Sequence, residues 1–142
     1  MKPYVADVVK DVAERLSRDV VPELTGFAAN NVAMSAAMLT MVSELWDGAA
    51  ANLVEENRGI IDLLRQGDEA GIMAHDTSAY DPLADLRISA LQNLNARLRG
   101  ALIELHSAVE ASEVPAARKL DEAIWAELKR STDRRRVSGA NF

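Results

Sequence analysis

The 142-residue chain has no cysteine. Disulfides, thiolate metal ligands and a cysteine nucleophile are therefore excluded, and a cytoplasmic setting is expected. Aromatic residues are only 4% of the chain, so a core has to be built from Leu, Val, Ala, Ile and Met. The net charge is −6, without the basic excess of a general nucleic-acid binder. No nucleic-acid partner is expected. Histidine is nearly absent too, with only His75 and His106. Neither follows a Glu by three residues, which excludes the Glu-x-x-His pairs of a di-iron bundle. No phosphate-cradling glycine loop, dinucleotide fingerprint or Gly-x-Ser-x-Gly elbow is present. No cofactor and no metal is expected, and no secretory leader is seen in the amphipathic, acid-bearing start of the chain.

Charge is missing from one long stretch, residues 25–43, TGFAANNVAMSAAMLTMVS. It is nearly long enough to cross a bilayer. Asn30, Asn31, Ser35, Thr40 and Ser43 punctuate it, and Ala outnumbers Leu and Ile, so no membrane span is expected. A helix apolar on more than one face is normally buried. The stretch is therefore expected to form a buried central helix.

What is present reads as helix throughout. Apolar residues recur at spacings of three and four over 3–20 (Val5, Val8, Val12, Leu16, Val20). Pro22 and Gly26 end that segment. A second helix is expected over 27–47, with Met34, Met38, Met41 and Leu45 on one stripe and Val32, Leu39, Val42 and Trp46 on another, closed by Gly48. A third spans 50–66 and closes at Gly67. Residues 68–81 form an irregular loop. Asp81 then caps a fourth helix over 82–111, whose Leu91, Leu94, Leu98, Ala101 and Leu105 keep coiled-coil spacing. It is overlong, so part of it is expected to pair with a second subunit. Ser112 caps a fifth helix, and 131–142 is expected to fray. The fold class is all-α: one domain over 1–142, an up-and-down bundle of four or five helices.

Candidate chemistry is sparse. Met34, Met38, Met41 and Met73 could line an adaptable apolar pocket, although Met at helical spacing is ordinarily core. His75, Asp76 and Tyr80 share the irregular loop and are the best residues for an enzymatic reading. His75, Asp76 and Asp81 have no spacing that fixes a metal geometry. Glu55, Glu56 and Asp62 read as a solvated face. Lys129, Arg130, Arg134, Arg135 and Arg136 make a basic cluster, explained by the negative end of a helix dipole.

The block over 20–48 carries Pro22, Leu24 and Gly26, then Glu44 and Leu45. In this it resembles a family of short bacterial helical proteins of unassigned function, often encoded beside aminoglycoside-phosphotransferase-like kinases and acyl-CoA dehydrogenases. The family tends to have Arg before that Glu, where this chain has Ser43. The resemblance covers the first half and implies an accessory role. The sequence thus points to a non-catalytic helical interaction protein, a homodimer through part of its fourth helix, with a Met-lined ligand pocket as the alternative.

Overall fold

The computed structural model describes residues 4–137, and among these every regular element is a helix. The chain is an all-α bundle protein. Helix α1 spans Val5–Arg15, α2 Gly26–Glu69, α3 Ile88–Glu110 and α4 Ala117–Arg134. No helix of the described residues is long and apolar enough to cross a membrane. The described residues pack as two compact units. One comprises 4–49 with 136–137, the other 50–135.

The first unit is a helical hairpin. After α1 the backbone widens into a π turn at Leu16–Val20 and tightens into a 3-10 turn at Val21–Glu23. Pro22 lies in that turn, where a residue without an N–H cannot continue an α-helix. On α1 the positions withdrawn from solvent are Ala6, Val9, Ala13 and Leu16. On the 26–49 part of α2 the row facing α1 is Ala29, Val32, Ala36, Leu39 and Ser43, with Thr40 and Met41 half-buried beside it. Both sets run at spacings of three and four, so each is one helix face. The Ser43 hydroxyl donates to the Ala6 carbonyl at 2.9 Å across the hairpin. Among the described residues of this unit only Ala13 and Ala36 are fully buried, and their small side chains suit close approach of the helices.

Burial along α2 therefore differs from the expectation. The uncharged stretch carries two apolar faces, and only one of them is covered. The remainder of α2, in the second unit, enters a true core. Gly48 does not end the helix, and neither does Gly67. The stop is at Gly71, with φ +66°. There the Gly71 N–H donates to Asp68 at 2.9 Å and the Ile72 N–H to Gly67 at 3.0 Å, the paired bonds of a Schellman ending.

The second unit packs the 50–69 part of α2 against α3 and α4. Its core is aliphatic: Ile60, Leu64, Leu98, Leu105 and Ile124 are its most enclosed side chains. Each such side chain contributes roughly 1.5–3 kcal/mol by leaving water. Leu91, Leu94, Leu98, Ala101 and Leu105 are all buried here. They are not a seam for a second subunit, and α3 is shorter than the 82–111 helix expected. Its start is delayed because Asp81 forms a local turn, accepting from the Leu83 N–H at 2.8 Å. Asp76 and Asp85 do the same toward Ser78 and Arg87, at 2.9 and 3.0 Å. Three such turns hold the 70–87 connection in a defined path. Ser112 likewise accepts from Val114 at 3.2 Å, and α4 begins only at Ala117. Residues 131–134 are helical rather than frayed. The rest of the expected tail, from 138, lies outside the described residues.

Candidate functional site

Two features stand out, one polar and buried in the second unit, one apolar and exposed in the first.

The polar feature begins with Glu56, only 3% exposed, which corrects its reading as a solvated acid. It extends the inward stripe of Ile60 and Leu63 by one turn. One carboxylate oxygen accepts from Asn95 Nδ2 at 3.0 Å and Arg99 Nε at 2.8 Å. The other accepts from the Ser131 hydroxyl at 3.0 Å and Arg135 Nη2 at 2.7 Å. Burial alone would raise the Glu56 pKa, but the bonds donated by Asn95, Arg99 and Ser131 outweigh it and hold it below the ordinary carboxylate value. Asn95 Nδ2 also reaches Asn57 Oδ1 at 2.9 Å, and Asn57 donates to the Leu91 carbonyl at 3.2 Å.

Glu127 is the second buried acid, on α4 beside Gly59 of α2. A Cβ at Gly59 would stand 2.8 Å from the Glu127 carboxyl carbon, so the absent side chain is what admits the carboxylate. Glu127 accepts from Arg130 Nε at 2.9 Å and forms an ion pair with Arg134. Four of the five residues of the basic cluster are thus committed to ion pairs within the second unit. Arg130, Arg134 and Arg135 neutralise buried acids, and Lys129 pairs with Asp133 at 3.0 Å. A cleft of about 180 Å³ lies against this layer, lined by Ile60, Leu102, Ile103 and Leu128 with Glu56, Arg99, Glu127 and Ser131. Its carboxylates already accept bonds from arginine, which leaves them poorly placed to take a proton from a substrate.

The loop candidates are only partly brought together. His75 and Tyr80 stack, ring centres 5.8 Å apart, with His75 Nε2 3.3 Å from the Tyr80 hydroxyl. The Arg97 guanidinium lies 5.7 Å from the Tyr80 ring centre, and Tyr80 packs on the core. Asp76 instead serves its own turn, and bonding there lowers its pKa. His106, which sequence reasoning set aside, bonds Asp121 at 2.9 Å and meets the edge of Trp125. Among the described residues, no group of three or more His, Asp or Glu is placed to hold a metal ion.

The apolar feature is the outward face of α2 in the hairpin. Met34 and Met38 are 59% and 56% exposed, and Met41 is half-buried. Phe27, Val42, Leu45 and Trp46 are exposed with them. At about 100° per residue, Phe27, Met34, Met38, Met41, Val42 and Leu45 fall on one side of the helix. Ala36 lies on the opposite side. The methionines therefore form an open face instead of lining a cavity, while Met73, in the second unit, packs on the core there. The fold and these sites define an all-α chain with one self-contained helical core and one hairpin whose outer apolar face is uncovered. Comparison with protein-family models, curated proteins and solved structures finds no match.

Proposed function

We propose that this chain is a non-catalytic helical interaction module that works as a homodimer. The helical core of the second unit is its scaffold, and the hairpin of the first is its contact element. The observation that carries this reading is the exposed apolar face of α2 across an uncharged stretch. Monomeric soluble proteins rarely leave a continuous apolar patch of this kind open, and large ones mark interaction sites. The hairpin also buries little apolar surface, and small units of this kind are only marginally stable alone. The buried acids support the same reading, because their lone pairs are committed to arginine, serine and asparagine. An accessory role is also what the resemblance over 20–48 implies. The cysteine-free composition and that resemblance favour a bacterial cytoplasmic setting. Light scattering on the purified chain across micromolar concentrations should give twice the chain mass. A strict monomer throughout would sink the proposal.

A further inference from the structure

We infer that the occupant of the α2 face is the same face of a second copy, paired antiparallel about an axis level with Ala36. This rests on the homodimer reading and says which surface and which direction it uses. Phe27, Asn31, Met34, Met38, Met41 and Leu45 follow spacings of 4-3-4-3-4. This is a coiled-coil seam, and the pattern reads the same in reverse. Antiparallel pairing then sets Phe27 against the partner's Leu45, Asn31 against the partner's Met41 and Met34 against the partner's Met38. Aromatic meets aliphatic at the ends, and flexible methionines meet at the centre, where thioethers adapt to imperfect fit.

Area and charge both favour this occupant. Phe27 is 81% exposed, and the other large side chains of the face are roughly half exposed. With roughly 150–250 Å² on a large side chain, the open face is on the order of 600 Å². A symmetric contact doubles that to about 1,200 Å², which reaches the range of specific interfaces. Residues 25–43 carry no charge, so nothing in the face calls for an ionic partner, and a copy of itself meets no like charge across the seam. The nearest acids are Glu23 before the stretch and Glu44 and Asp47 after it.

The absence of cysteine makes the test direct. Phe27→Cys and Leu45→Cys are prepared as separate full-length variants, with Ile103→Cys on α3 as an exposed control for random collision. Circular dichroism first verifies that each is helical. Mixing Phe27→Cys with Leu45→Cys under mild oxidation should give a disulfide-linked pair at least about tenfold faster than either variant alone or either with Ile103→Cys. In the antiparallel pairing, two copies of residue 27 stand about 27 Å apart along the axis, too far to join. Self-linking of Phe27→Cys and of Leu45→Cys would mean a parallel seam and would overturn the inference. Dimers by light scattering without the mixed link would overturn it too, while leaving the homodimer reading in place. Monomers throughout would overturn both.

Discussion

Glu56 shows how a single charge can be held inside an aliphatic bundle. Its two oxygens take donors from α3 and α4 and from Arg135 just beyond α4, so it ties all three helices at one level. Removing one partner of a buried pair typically costs about 3–5 kcal/mol, because the other charge is left uncompensated. Glu56→Gln keeps the volume and strips the charge from between Arg99 and Arg135. Urea unfolding of the second unit at neutral pH should show a loss of about 3 kcal/mol, and a loss below about 0.5 kcal/mol would mean the layer is not structural. The same residue predicts a pH dependence. Its folded pKa lies below the ordinary value of 4.5, so its stabilisation is complete above that value. It is lost as pH falls from there through the lower folded value. The wild-type urea midpoint should therefore drop on acidification below about pH 5, and the drop should be shallower in Glu56→Gln. Gly59→Ala addresses the neighbouring acid. Alanine would gain about 1 kcal/mol of helix propensity. Its Cβ nevertheless falls 2.8 Å from the Glu127 carboxyl carbon, and overpacking costs about 1–3 kcal/mol. A stabilised Gly59→Ala protein would show that the carboxylate has room to move.

At the scale of the element, α3 is where the sequence speaks most plainly. Leu91, Leu94, Leu98 and Leu105 advertise a seam by their spacing, and the structure uses that seam inside the second unit. Leu98→Asp should accordingly unfold the second unit, placing an unpaired charge at a site with no solvent access. Loss of the α-helical signal and of a cooperative transition is the expected readout. A folded monomer would mean that Leu98 faces a subunit contact after all. Helical periodicity was readable because it depends on neighbours three and four residues away. The buried acids were not, because the partners of Glu56 lie 39 to 79 residues along the chain. One signal was available. Glu56 continues the stripe of Ile60 and Leu63, and Glu127 and Ser131 continue that of Leu120 and Ile124. A polar residue in register with a core stripe deserves the inward reading first. Helix boundaries were missed where Asp81 and Ser112 resemble caps, since the same side chains also close two-residue turns. The uncharged stretch was misplaced for a different reason. Composition reveals that two faces of a helix are apolar, but not whether one chain supplies cover for both.

For the whole molecule, the two units should respond differently to concentration. The second unit has a core of its own, so its unfolding is a property of one chain. Among its described residues the first unit buries only Ala13 and Ala36 fully, and the proposed pairing would supply the rest of its apolar cover. A state stabilised by association loses stability as the protein is diluted. The helical signal of the hairpin should therefore melt earlier on about a hundredfold dilution, while the main transition of the second unit stays in place. Met38→Glu probes the same linkage at fixed concentration. It places a charge in the uncharged face next to the axis, where its symmetry mate carries the same charge. Burying unpaired carboxylates there costs several kcal/mol, enough to shift a micromolar dimer to monomer by a factor of a hundred or more, roughly 3 kcal/mol. Because Met38 is largely exposed in one chain, the substitution should leave the second unit's transition unchanged. It should also remove the concentration dependence of the hairpin signal. If Met38→Glu stays dimeric and melts like the wild type, the open methionine face is not the surface through which two copies meet.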